Sequence, residues 1–196
     1  MPVELWTGRT GAGKTYAMVY RTVITRIANP TRPVYTNMTS LRLPGSGPVY
    51  HLRDYRDFLA VRSGLVLLDE VNLVLPSRAW KHAPGSLLYK LSHVRKHDLD
   101  LWCTAQHLHR VDPVLRELVH THAEMHSMRR LGFFWARVYD GATQDRRHFI
   151  SLSFLPWLPR VARLYDTLEE IQPERYVGVE DIPTLTPDDW AELRLQ

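Results

Sequence analysis

The chain alternates short, dense apolar runs with segments whose apolar positions recur every three to four residues. Runs at residues 3–6, 33–36, 64–68 and 100–104 have strand length, and turn residues or a stretch of helical period separate each from the next. This alternation predicts a mainly parallel sheet covered by helices, an α/β architecture. Leu65, Val66, Leu67 and Leu68 form an unbroken apolar string, which places their strand at the centre of the sheet, buried on both faces. Helices are predicted over residues 16–28, 54–61, 86–96 and 112–119. In the third, Leu87, Leu88, Leu91 and Val94 share one face; the fourth opens with Asp112 as cap and Pro113 at the first helical position. Residues 43–48 (L-P-G-S-G-P) are a turn cluster, and residues 76–85 a loop.

Beyond residue 120 the period changes to two. Strand-like stretches at 123–128, 133–139 and 148–154, with turn signals at Gly132 and Asp140-Gly141, predict an antiparallel β meander over about residues 121–155 added to the parallel core. A small helix is expected around 166–171, and a last one from Thr186, where T-P-D-D supplies cap, proline and an acidic first turn. The expected organisation is one domain, residues 1–175, and a C-terminal helical tail, 176–196. A chain of 196 residues forms one core that buries about 70% of its unfolded surface, so two tandem nucleotide-binding cores do not fit.

Residues 8–15 read G-R-T-G-A-G-K-T, a full match to the pattern G-x-x-x-x-G-K-[ST], between an apolar strand and an amphipathic helix. The glycines let the backbone curl so that successive N–H groups point inward, and the helix N-terminus adds its positive dipole end. Gly8, Arg9, Thr10, Gly11, Ala12, Gly13, Lys14, Thr15 and Tyr16 are therefore the expected nucleotide-binding residues. Lys14 would reach the β and γ phosphates and Thr15 would hold Mg²⁺, making ATP and Mg²⁺ the expected cofactors.

The central strand ends in Asp69 and Glu70. Asp69 is expected to contact the metal and Glu70 to polarise the water that attacks the γ phosphate. The next strand ends in Ala105-Gln106, and a glutamine there would hydrogen-bond both the γ phosphate and the water. A strand inserted between those carrying the two phosphate-binding motifs marks the additional-strand, RecA-like P-loop NTPases. Charge on the transferring phosphoryl group is often met by an arginine from a neighbouring subunit. Arg95 is the first candidate for that role, with Arg78 and Arg116 as alternatives.

Composition narrows partners only slightly. The formal charge is +4, with 21 Arg against 4 Lys, which permits a nucleic-acid partner without demanding one. Cys103 is the single cysteine, so no intrachain disulfide forms, as suits a reducing cytoplasm. The start M-P-V-E-L-W is unlike a signal peptide, and the most apolar run, 149–158, contains Pro156 and is roughly half a membrane span. The expected location is the cytoplasm. Ten histidines, among them His93, His97, His107, His109, His120, His122 and His126, are read as surface and core residues, because no Cys cluster or H-E-x-x-H accompanies them. Arg129, Arg130, Arg137, Arg146 and Arg147 flank Phe133, Phe134 and Trp135; a packed aromatic face with solvated arginines outweighs a DNA-stacking surface, since strands bury every second side chain.

Three stretches together resemble a known family: the phosphate loop, L-L-D-E-V-N-L-V-L-P-S-R at 67–78, and S-H-V-R-K-H-D-L-D-L-W-C-T-A-Q-H-L-H-R-V-D at 92–112. They are similar to the ATPase domain of the zonula occludens toxin family, also found in filamentous-phage assembly proteins, within the FtsK and HerA group of DNA-pumping ATPases. R-L-Y-D-T at 163–167 resembles that family's tail, and the likeness covers roughly residues 1–170. It implies family roles for Lys14, Thr15, Asp69, Glu70 and Gln106, and matches Arg95 to the arginine preceding the sensor strand.

The function expected from the resemblance is an ATP-driven DNA-translocating motor. Its leading form is a viral genome-packaging ATPase working as a homo-oligomeric, hexameric ring on viral or plasmid DNA, in the host cytoplasm or with the virion. The alternative is a virion assembly or extrusion ATPase acting at a membrane with capsid or membrane proteins as partners. Family members of that kind continue into a membrane span and an outer domain, and neither is seen in this sequence. A small-molecule kinase ranks third, since Asp69-Glu70 and Gln106 suit water as the nucleophile.

Overall fold

A computed structural model describes residues 3–74, 85–141, 149–166 and 169. The elements run β1 (Val3–Thr7), α1 (Lys14–Ala28), β2 (Val34–Thr36), β3 (Val49–His51), α2 (Tyr55–Ala60), β4 (Gly64–Leu68), α3 (Val71–Val74) and α4 (Gly85–Ser92). They continue as β5 (Leu99–Ala105), α5 (Pro113–Leu118), β6 (Thr121–Met128), β7 (Phe133–Asp140), β8 (Ser151–Pro156) and α6 (Pro159–Ala162). All eight strands join one sheet in the order β3-β2-β4-β5-β1-β6-β7-β8.

Six neighbouring strands, β3 through β6 in that order, are parallel. β4 is central and wholly buried, as its unbroken apolar string predicts. Leu65 and Leu67 point into the core beneath α1, whereas Val66 and Leu68 point into the core on the opposite face, with Leu87, Leu91 and Leu115 from α4 and α5. Each such leucine, fully removed from water, contributes about 1.5–3 kcal/mol. Helices on both faces make a three-layer α/β/α stack. β5 does lie between β4 and β1. Leu68 is level with Cys103, and Cys103 with Leu5, so the three strands end together at one edge.

The expected meander is present as β6–β7–β8, joined to the parallel core through β6. β6 pairs with β1 in parallel, and only β6–β7 and β7–β8 are antiparallel. The chain arrives at β6 from β5 through α5, a crossover that returns it in the same direction, and period-two patterning does not report direction. Three differences are local. The helix expected over 86–96 is α4 followed by a separate 3₁₀ turn, Val94–His97, terminated by Asp98 at φ 50°. β3, three half-buried residues at the sheet edge, is too short to announce itself. α6 was not foreseen; Pro159 starts it, and its Val161 is buried in the core shared with α1. The expected loop over 76–85 lies almost wholly, and the expected final helix wholly, outside the described residues, as do most of those of the expected helix near 166–171.

Candidate nucleotide site

The phosphate loop is shaped by what its glycines avoid. A Cβ on Gly8 would stand 2.7 Å from the Met125 carbonyl oxygen, and one on Gly13 would stand 2.5 Å from the Phe134 ring. Gly11 and Gly13 have φ of 78° and 90°, the left-handed region that favours glycine. Gly8 N donates to Gln106 O at 3.3 Å, and Ala12 N to Arg9 O at 3.0 Å. The loop is thus fixed to the ends of β5 and β6 before α1 begins. No side chain caps α1, and no acidic residue lies in its first turn, which leaves its leading N–H groups and positive dipole end for an anion.

Lys14 is buried. Its Nζ donates to Arg9 O at 3.4 Å and lies 3.7 Å from Glu70 Oε1. Thr15 Oγ1 donates to Asp69 Oδ1 at 2.9 Å, and Thr104 Oγ1 donates to the same oxygen at 2.6 Å. Thr104 Oγ1 also accepts from Glu70 N at 2.9 Å. Glu70 stands at φ 48°, a strained backbone for a non-glycine residue. Its Oε2 is buried without a hydrogen-bond partner among the described residues.

Burial pushes the Asp69 carboxyl above its ordinary range, against hydrogen bonds from Thr104 and Thr15 and the charge of Lys14. Burial also raises Glu70, with Lys14 opposing. Two raised carboxyls beside a buried ammonium mark a site built to receive charge. A divalent cation and a triphosphate fit this donor set. Thr15 and Asp69 supply the hard oxygens that Mg²⁺ prefers, and the uncapped start of α1 leaves main-chain N–H groups for the phosphates.

The residues predicted from the sequence therefore meet at one edge, with two exceptions. The Tyr16 side chain belongs to the core, its hydroxyl donating to Pro156 O at 2.7 Å and accepting from Leu158 N at 2.9 Å, so only its main-chain N–H remains for a phosphate. The arginine candidates are the second exception. Arg95 lies in the 3₁₀ turn before β5, at the opposite end of that strand from Gln106, and its side chain lies outside what is described. Arg116 is half-buried on α5, and Arg78 is outside the described residues.

Gln106 sits where expected, but its Oε1 accepts from Arg110 Nη1 at 3.0 Å. Three contributors escaped the sequence reading: Arg110, Thr104, and Asn37, whose carboxamide meets the Asp69 main chain. Asn37 and Thr104 do carry a recognisable signal, being polar residues at the carboxyl ends of parallel strands, where open α/β sheets bind ligands.

A cleft of about 810 Å³ adjoins the loop, lined by Arg9–Ala12, the segment after Gln106 and the outer face of β6. Four histidines line it, and each has an aromatic or hydroxyl contact. His107 stacks on His109, His122 on Tyr139 and His126 on Trp135, while His122 Nε2 lies 2.7 Å from Thr7 Oγ1. Among the described residues no group of three His, Cys, Asp or Glu is placed to hold a metal.

A Thr104→Val substitution tests the wiring. It deletes the donor to Asp69 and leaves the Glu70 N–H unpaired, so stability falls by about 1–3 kcal/mol and turnover by about tenfold or more. Thermal unfolding and steady-state phosphate release read the two effects.

Comparison with known proteins fits this geometry. Residues 50–166, more than half of the chain, match the family model for Zonular occludens toxin (Zot). The chain belongs to the Zot family. The matched stretch includes Asp69, Glu70 and Gln106 and begins after the phosphate loop. The N-terminal domain of zonular occludens toxin from Neisseria meningitidis aligns with TM-score 0.63 at 21% identity, covering 84% of this chain and 98% of that domain. The genome-packaging NTPase B204 from Sulfolobus turreted icosahedral virus 2, in complex with ATP-gammaS, aligns with TM-score 0.57 at 12% identity, covering 80% and 98%. Its complex with AMPPCP aligns with TM-score 0.55. No curated protein sequence matches the chain. The fold of this Zot-family chain is therefore that of a P-loop NTPase, with β6 extended by an antiparallel hairpin.

Proposed function

We propose that the chain is an ATP-hydrolysing motor that translocates DNA, working as a homo-oligomeric, hexameric ring in viral genome packaging. The observation that carries the hydrolytic part is the joined set Thr15–Asp69–Thr104–Glu70, with Lys14 against Glu70. In this reading Lys14 leaves Glu70 for the β and γ phosphates, and Thr15 and Asp69 hold Mg²⁺. Bound there, the metal neutralises charge on the phosphate oxygens. Glu70, freed from Lys14, accepts the proton of the attacking water. Gln106 orients that water from the end of β5, and an arginine from the next subunit, Arg95 first, completes the positive charge.

Self-association is supported by an apolar face on the antiparallel hairpin. Ile150, Leu152 and Phe154 are 66%, 48% and 65% exposed, on the side of the edge strand β8 that is continuous with Trp135 of β7 and the cleft wall on β6. An exposed apolar patch on a sheet edge beside an open active site suits a second copy as its occupant. DNA as cargo draws support from the formal charge of +4 and from the packaging role in the name of B204. The host cytoplasm or the virion is the corresponding location.

A second reading, an assembly or extrusion ATPase with capsid or membrane partners, is favoured by membership of the Zot family. No helix among the described residues is long and apolar enough to cross a membrane. The deciding experiment measures ATP hydrolysis with and without double-stranded DNA, together with sedimentation in the presence of a slowly hydrolysed ATP analogue. The expected result is DNA-stimulated turnover by a ring-sized species. Hydrolysis indifferent to DNA removes the translocation reading, and a monomer under every condition removes the ring.

A further inference from the structure

The segment following β2 connects the catalytic acids to the far end of the described chain. Asn37 is 5% exposed and turns its carboxamide onto the Asp69 main chain, Nδ2 donating to Asp69 O and Oδ1 accepting from Asp69 N, both at 2.9 Å. The carbonyl it grips belongs to the peptide that carries the Glu70 N–H. Because Glu70 occupies a strained backbone conformation, its place depends on neighbours that over-determine it. Asn37 and Thr104 hold that peptide from its two ends.

Two residues further on, one carboxylate receives four donors. Glu169 Oε1 accepts from Thr39 N at 2.5 Å and from Thr39 Oγ1, and Oε2 accepts from Ser40 N at 3.1 Å and from Ser40 Oγ at 2.5 Å. The surrounding tail is laced to the same turn: Asp166 N donates to Ser40 Oγ at 2.8 Å, and Arg42 N to Leu164 O at 2.7 Å. Burial pushes the Glu169 carboxyl up, but the donors from Ser40 and Thr39 outweigh it and hold it below the usual carboxylate range. Bonds to an ionised acceptor are roughly twice as strong as neutral ones, so the turn at 39–40 is pinned by charge as well as by geometry.

We propose that Glu169 is a positioning residue for hydrolysis: its carboxylate fixes the Thr39–Ser40 turn, the turn fixes Asn37, and Asn37 fixes the Asp69–Glu70 peptide. The proposal rests on the ATPase reading above and adds its regulation. Whatever draws Glu169 out of the turn slows turnover without touching the phosphate loop. Glutamine at 169 is a sharp probe. Its amide nitrogen would face the main-chain N–H of Thr39 or Ser40, setting donor against donor.

The test is a double-mutant cycle of Glu169→Gln and Asn37→Ala, scored by kcat and KM for ATP. Glu169→Gln is expected to lower kcat about 5- to 10-fold with KM changed less than about twofold, because a small misplacement of a reacting group is enough to cost this much. Combined with Asn37→Ala it should add nothing beyond the loss from Asn37→Ala alone, since both act on one peptide. Hydrogen exchange supplies a readout independent of turnover: the Asp69 and Glu70 amides should exchange faster in Glu169→Gln than in the wild type. If Glu169→Gln fails to fold by circular dichroism, Thr39→Val, which removes one donor, replaces it in the same cycle. A kcat within twofold of wild type, or losses that multiply in the double variant, overturns the proposal. A wild-type chain that hydrolyses no ATP overturns the ATPase reading, whereas unchanged exchange at Asp69 and Glu70 overturns this proposal in either case.

Discussion

Glu70→Gln leaves ATP bound and lowers its hydrolysis by about 10²- to 10⁴-fold, the range that a positioned general base contributes. The substitution conserves shape while removing the proton acceptor. The geometry explains why binding survives: Glu70 Oε1 lies 3.7 Å from Lys14 Nζ, so the carboxylate competes with phosphate for the ammonium, and a neutral carboxamide competes less. Affinity for ATP should therefore hold or rise as turnover collapses. Equilibrium binding of a fluorescent ATP analogue and single-turnover phosphate release separate the two effects. Hydrolysis undiminished by the change removes Glu70 from the role of base. A parallel loss of binding shows instead that Glu70 supports the loop.

Gly13→Ala carries the largest expected cost in stability. The residue sits at φ 90°, where a side chain costs roughly 1–2 kcal/mol. Its new Cβ would stand 2.5 Å from Phe134 Cδ1, and that ring cannot retreat freely, being packed against Tyr16 at 5.0 Å and Trp157 at 5.7 Å between centroids. Overpacking of this kind costs about 1–3 kcal/mol. The sum, about 2–5 kcal/mol, lowers the unfolding midpoint by about 5–15 °C for a domain of this size. Phe134→Ala in the same chain relieves the clash but not the backbone strain. The double variant is therefore less destabilised than the two single losses added together, by about the overpacking share. Strict additivity in urea unfolding of the four variants shows that the ring does not crowd Gly13.

Much of this site was legible because its chemistry is concentrated at strand ends. The pattern of Gly8 to Thr15 announces the loop, and an unbroken apolar string ending in Asp69 and Glu70 announces a central strand with acids at its tip. Burial on both faces leaves no room for polar residues within such a strand, so the first polar residue after it stands out. Asn37 and Thr104 carry only the general signal of polar residues at strand ends; what makes them a clamp on the acids is register, which brings β2, β4 and β5 side by side. Side-chain alternation announces the meander, but being identical in parallel and antiparallel pairs it does not give the direction in which β6 joins β1. Glu169 was hidden by distance, lying 129 positions from Ser40 in sequence. Arg110 reaches Gln106 only because the 3₁₀ turn Leu108–Arg110 folds it back.

The contact between Gly13 and Phe134 has a mechanical meaning. Phe134 lies on β7 and Met125 on β6, and together they form the floor on which the phosphate loop rests, with the Gly8 and Gly13 α-carbons pressed against them. There is no slack layer in between. A load that bends the β7–β8 hairpin away from α1 opens a gap under Gly13, and a load in the other direction closes it onto the loop. The outer hairpin therefore bears directly on the phosphate loop, through rigid side chains and with no hinge between them.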